Sequence, residues 1–307
     1  MDYLLEKDSK DYVFDNDFPK FHFSSQSNSS ENTSEQSESL IKRIMNEKIW
    51  KKLHMLTSEE GYNINDIIQP GIDNPDHPIG LVSYSKDCYY TFEDILISAA
   101  QLFHKRNLYL AKYEKESNKM LISIINSMDS FLEKNIFEVK ISTNRNLEGI
   151  PFSGKINRNQ RREVTSRLYE QIKKIENEIY ENEEKGKFSF FENKGQDSRI
   201  NTSSNFDSFF QACGFYKDFP DGRMAYISKD SNINIVTNIE DHLKINLTIK
   251  NKSEGTENNN EFSTKSMLDY FEFLNKLEIA NNFCYDDNLG YVNSLINNLG
   301  KFFLPIN

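Results

Sequence analysis

Few residues in this chain are placed to do chemistry unaided. Glu240, Asp241 and His242 stand in a row between two alternating stretches, INIVTNI and LKINLTIK. A carboxylate can accept two parallel N–H bonds from a planar cation. By residue type and place alone, however, Glu240 reads as a solvated acid in a sheet turn. Lys140 and Lys244 read as surface lysines on strands, and a lysine offers a point charge without arginine's bidentate fork. Cys88, Cys213 and Cys284 lie far apart, with no CxxC pair and no spacing suited to a structural zinc site. Their odd number and low density fit a reducing compartment.

The elements that must position these residues change character along the chain. Residues 24–39, SSQSNSSENTSEQSES, cannot bury enough apolar surface to offset their ordering entropy, so residues 1–38 are expected to form a disordered tail. Phe14, Phe18, Phe21 and Phe23 in it could dock on a partner. Ser39 is a candidate N-cap for a helix carrying Leu40, Ile41, Ile44, Met45, Ile49, Leu53 and Leu56. Thr91 and Asp94 have capping-box spacing for a helix through Leu102. Residues 108–133 and Asn159 to about Glu183 repeat the helical period. From residue 223, RMAYISK, INIVTNI and LKINLTIK alternate and predict an antiparallel meander. Residues 252–262 form a polar loop, Ser263 to about Asn281 returns to helix, and Gly290–Ile296 is a candidate last strand. The fold class is therefore α+β: an all-helical part over 39–107, a connecting helical segment over 108–135, and an antiparallel-sheet α/β part over 136–307.

The chain of 307 residues has 47 acidic against 37 basic side chains and a net charge of -10, which argues against nucleic acid or an anionic membrane as a general partner. The N-terminus, MDYLLEKDSKDY, lacks a signal-type apolar run, and no stretch is long and apolar enough to span a bilayer. A cytoplasmic protein is expected.

Seven segments then point one way. GIDNPDHPIG (71–80) resembles the "GVDNPGHP" stretch of creatine kinases, and residues 40–82 the helical domain and substrate loop around it. KDCYYTFEDIL (86–96), STNRNLEGIPF (142–152), FYKDFPDGRMAY (215–226), NIEDHLKI (238–245) and DDNLGYVNSLINNLG (286–300) follow in the order of the phosphagen (guanidino) kinases. RNLEG at 145–149 is also similar to bacterial protein-arginine kinases, but GIDNPDHP and the helical part favour the small-molecule branch. The family's reaction moves the ATP γ-phosphoryl group to a guanidino nitrogen, mostly by alignment and charge neutralisation.

The resemblance implies a role for each matched residue. Glu240 falls on the glutamate that orients the guanidinium, and Ile239 replaces its acidic neighbour. The phosphate arginines fall on Lys140, Ser142, Lys244 and Leu304. Arg145 matches an arginine outside the phosphate contacts and reads as structural. Pro78, Ile79, Gly80, Leu81 and Val82 fall on the substrate loop. Leu295 falls on the family cysteine, which makes Cys213 and Cys284 core thiols. Residues 190–210 hold no counterpart of the adenine-side histidine. Family members run on past the last motif with further strands, arginines and a second glutamate, so an incomplete catalytic domain is expected. ATP or ADP with Mg²⁺ is the implied cofactor, and no side chain is assigned to a metal. The partners implied are a small guanidino substrate, a second copy, or an intact family member. The expectation is a guanidino kinase with impaired transfer; the alternative is a regulatory or structural subunit.

Overall fold

The computed structural model describes residues 39–108, 138–181, 185–191, 207–250 and 264–299. The expected tail, most of the helix over 108–133 and the loop 252–262 lie outside them.

The N-terminal part is helical, as expected, but in shorter pieces. Helix α1 (Leu40–Ile44) ends at an extended Met45, and α2 (Glu47–Leu53) starts afresh because the Asn46 side chain accepts the Ile49 N–H at 3.0 Å. One long helix was expected there; the asparagine cap divides it. Helix α3 (Ile64–Asp73) opens on a capping box made by Asn63 and Asp66. The Thr91 capping box does not form. Thr91 ends the short α4 (Cys88–Thr91), and α5 (Glu93–His104) begins after Phe92, whose ring is fully buried and which supplies no cap. Burial of that ring, not a side-chain cap, sets where α5 starts.

The motif at 71–80 is a packing device. A Cβ on Gly71 would lie 2.0 Å from the Gly80 carbonyl oxygen, and Gly80 itself sits at φ +70°. Only glycine allows that approach and that backbone angle. His77 Nδ1 accepts the N–H groups of Ile79 and Gly80, and its ring stacks on Phe209 at 3.5 Å.

The C-terminal part is a five-stranded antiparallel sheet in the order β1 (Glu138–Arg145), β5 (Leu243–Lys250), β4 (Ile233–Thr237), β3 (Met224–Ile227), β2 (Lys187–Phe190). The meander β3–β4–β5 is where the alternation placed it. Ile141, Met224, Tyr226, Ile233, Ile235, Leu243, Ile245 and Leu247 point to one face. There they meet Val164, Leu168, Ile172 and Ile175 of α6 (Arg158–Ile179) and Phe271, Leu274 and Leu277 of α8 (Thr264–Ala280). The period-2 pattern of the strands and the 3.6 period of the helices bury one joint core. The short α7 (Ser208–Ala212) instead joins the helical core through Phe209.

Past the sheet the expected strand 290–296 is only the two-residue β7 (Gly290–Tyr291), paired with β6 (Tyr285–Asp286) and followed by a 3₁₀ turn at Ile296–Asn298. The backbone between them is bonded elsewhere. Tyr89 Oη donates to the Asn293 carbonyl at 2.8 Å, and the Ser83 N–H donates to the Ser294 carbonyl at 2.7 Å. Leu295, Ile296 and Leu299 thereby join the helical core.

Candidate functional site

The second face of the sheet is built differently. Its side chains include Glu138, Lys140, Ser142 and Asn144 from β1, Lys244, Asn246 and Thr248 from β5, and Asn234 and Val236 from β4, and none of them joins either hydrophobic core. Strict alternation produces this: each apolar residue facing the helices is followed by a residue facing away. Ser142 lies opposite Asn246 and donates to its Oδ1 at 2.8 Å.

At one end of this face the chain turns between β4 and β5. Asn238 takes φ 55°, its N–H reaches the His242 carbonyl at 3.1 Å, and its side-chain amide donates to the carbonyls of Arg161 and Gly222. The turn carries Glu240, Asp241 and His242, and none of the three is solvated. Asp241 is 1% and His242 0% exposed, and Glu240 is 5% exposed.

Asp241 is held by three donors. Asn144 Nδ2 reaches Oδ2 at 2.7 Å, and Asn146 Nδ2 and the Ser294 N–H reach Oδ1 at 2.6 and 2.8 Å. Burial pushes its carboxyl up and the three donors oppose that shift. His242 is the neutral Nε2–H tautomer: Nδ1 accepts the Leu147 N–H at 3.0 Å, so Nε2 donates to the Pro151 carbonyl at 2.9 Å. Burial takes it down to about 4. These two residues fix the turn and leave Glu240 beside the polar face.

Glu240 is gripped from inside the chain. Lys244 Nζ donates to Oε1 at 2.5 Å, and Asn144 Nδ2 lies 3.4 Å from the same oxygen. The carboxylate is 7% and the lysine side chain 31% exposed. Two residues expected on the strength of the resemblance, Glu240 and Lys244, are therefore brought together as an ion pair. Ser142 lies near, one inter-strand pair along the face. Lys140 lies opposite Thr248, four residues from the Asn144–Lys244 pair, about 13 Å along the strand. It is exposed and bonded to Glu138 at 2.7 Å.

The remaining expected residues sit on the helical side. Pro78 is exposed, whereas Ile79, Gly80, Leu81 and Val82 are buried, with Leu81 and Val82 at 0%. The Val82 N–H bonds the Ile67 carbonyl, and the side chains of Ile79, Leu81 and Val82 belong to the helical core. Leu295 is 3% exposed in the same core, one residue from the Ser294 amide that binds Asp241.

Asn144, Asn146, Asp241, His242 and Ser294 were not anticipated as parts of the site. The alternation of β1 would have put Asn144 beside Ser142; nothing local announces Asn146 or Ser294, which arrive through long-range pairing.

Arginines in and around the sheet serve the scaffold. Arg145 bonds Glu278 through Nε and Nη2, donates to the Asn144 carbonyl, and lies 3.6 Å over the Tyr291 ring. Arg161 donates to the carbonyls of Ser153 and Ile156, and Arg223 to those of Phe215, Lys217 and Asp221. Burial and the neighbouring Arg161 take Arg223 down to about 9. Arg162 pairs with Asp221 at the surface. Among the described residues no arginine stands on the polar face. Nor does a group of three His, Cys, Asp or Glu side chains converge there to hold a metal. No described helix is long and apolar enough to cross a membrane.

Comparison with known proteins bears on the family and the fold. Residues 35–98 match the ATP:guanido phosphotransferase N-terminal domain and residues 167–301 the ATP:guanido phosphotransferase C-terminal catalytic domain. An arginine kinase of Stichopus japonicus is 24% identical over 306 residues, 97% of this chain and 75% of that protein. The M-type creatine kinase of Tetronarce californica is 25% identical over 265 residues, 82% of this chain and 66% of that protein. The duplicated taurocyamine kinase of Schistosoma mansoni superposes with a TM-score of 0.67 at 19% identity, covering 88% of this chain and 37% of that one. A lombricine kinase gives 0.65 at 16%, covering 87% and 72%. The chain thus spans two thirds to three quarters of these arginine and creatine kinases. With a helical part, a helix-backed antiparallel sheet and both domain matches in chain order, the chain belongs to the ATP:guanido phosphotransferase family.

Proposed function

We propose that this chain is a member of its family that binds a guanidine and, weakly, a nucleotide, and in which phosphoryl transfer is strongly impaired. The observation that carries the reading is the Glu240–Lys244 ion pair on a sheet face that bears no arginine among the described residues. Glu240 supplies the carboxylate for a guanidinium, and Asp241 and His242, both fully bonded, hold it in place. Ser142, Asn144, Asn246 and Thr248 offer neutral hydrogen bonds along the rest of the face.

Holding a triphosphate in line calls for preorganised positive charge, and each such contact is worth about a hundredfold in rate. Lys244 is already committed to Glu240, and Lys140 stands well down the strand beside Glu138. These residues do not fit tight triphosphate binding, so no transfer step is assigned to them. Mg²⁺ would arrive on the nucleotide phosphates, its usual mode in kinases. The three buried, unpaired thiols suit a reducing cytoplasm.

Phosphoryl transfer from ATP–Mg²⁺ to arginine, creatine and taurocyamine tests the reading. Turnover at least about a hundredfold below that of an intact family member is expected. Turnover at the family's ordinary rate by this chain alone would overturn it. Exposed Met55, Leu102 and Phe103 on the helical part favour a second reading, a regulatory subunit that pairs with an intact family member. Co-purification with such a kinase supports it; indifference to one removes it.

A further inference from the structure

We propose that Lys244 is a built-in occupant of the guanidinium seat at Glu240, an intramolecular cation that closes the site until an anion draws it away. This rests on the reading of the polar face as a guanidine- and nucleotide-binding surface.

Three features carry it. Among the described residues the side-chain donors to Glu240, Lys244 Nζ and the more distant Asn144 amide, both fall on Oε1. The carboxylate is 7% exposed, so it cannot rely on water once the ammonium leaves, and a buried unpaired charge is strongly destabilising. A cation can therefore depart only if another arrives. Lys244, in contrast, is 31% exposed on a flexible stem that lies along the open face beside Asn144 and Asn246. It has somewhere polar to go. The seat itself does not move with it, because Asp241 and His242 pin the turn through Asn144, Asn146, Leu147, Pro151 and Ser294.

The exchange is one cation for another. A guanidinium brings two parallel N–H donors where the ammonium brings a point charge, and the displaced ammonium then faces the neutral side chains of Asn144, Ser142 and Asn246. An anion on that surface stabilises the displaced position. Linkage makes the effect reciprocal: the anion raises affinity for the guanidine by the same factor as the guanidine raises affinity for the anion.

Calorimetric titration of the full chain with methylguanidine, with and without saturating tripolyphosphate at matched ionic strength, tests this. Affinity for methylguanidine is expected to rise about tenfold with tripolyphosphate. Lys244→Met should bind methylguanidine that tightly without the anion and ignore its addition. Glu240→Gln should lose methylguanidine binding under both conditions. Equal affinity with and without tripolyphosphate in the wild-type chain would overturn the proposal, as would Lys244→Met binding no tighter than wild type. If Lys244→Met does not fold, the wild-type pair of titrations decides. Wild-type protein that binds neither probe removes the ligand-binding reading and this proposal with it. Binding of both probes without coupling removes the proposal alone.

Discussion

Positive charge is arranged differently in the scaffold and on the polar sheet face. Arg145, Arg161 and Arg223 are each about 1% exposed or less, and each guanidinium bonds several carbonyl or carboxylate oxygens at once. Lys140 and Lys244 on the polar face are 60% and 31% exposed, and each ion-pairs with one carboxylate. The fold therefore uses the planar fork where several acceptors must be satisfied in a dry interior, and the polar face is left with point charges.

Four measurements can break or sharpen that contrast. The largest effect belongs to Arg145. Arg145→Ala leaves Glu278 buried without its cation and should cost about 3–5 kcal/mol in urea unfolding; a loss below about 1 kcal/mol would erase the distinction between scaffold and surface cations. Next is acid sensitivity at the turn. His242 is held at about 4 when folded against an ordinary 6.5, so below pH 6.5 the unfolded chain takes up a proton that the folded chain refuses. Its contribution is complete above pH 6.5 and is lost as the pH falls toward 4, by about 3 kcal/mol. Asp241, pushed up by burial, acts in the opposite sense, and His77 and His104, both lowered by burial, act in the same one. The informative quantity is therefore the pH dependence of wild type minus that of His242→Gln, which would vanish if His242 took up its proton at the same pH in the folded and the unfolded chain.

Asp241→Asn is expected to cost about 2 kcal/mol, because an amide group then faces one of the three donors that the carboxylate accepts. No change in unfolding midpoint would mean that the turn is not pinned from behind. The smallest effect is on the open face. Lys140→Ala should leave stability within about 0.5 kcal/mol. A large loss there would show that the polar face is itself part of the scaffold.

Much of the fold was readable because its periodicities are regular. Leu168, Ile172 and Ile175 announced α6, and the alternation of INIVTNI and LKINLTIK announced β4 and β5 with their inward faces. Helix α3 was missed because Pro70 and Gly71 suggest a break, whereas Pro70 is buried within the helix and Gly71 serves the approach to Gly80. Strand β2 is only four residues long at a sheet edge, too short for a pattern. The site was readable in outline only. Glu240 and Lys244 were singled out by resemblance, but their pairing required the turn geometry, and the solvated acid suggested by residue type and place is instead buried. Asp241 and His242 are held by Asn146 and Ser294, which come from loops distant in sequence, a relation no local window contains.

The backbone of Ser294 joins two neighbourhoods. Its N–H belongs to Asp241 of the sheet part, while its carbonyl belongs to Ser83 of the helical part. A rivet through both plates leaves no seam along which one can peel from the other. The halves should therefore lose their amide protection against exchange together, as one cooperative unit rather than as two independently melting modules.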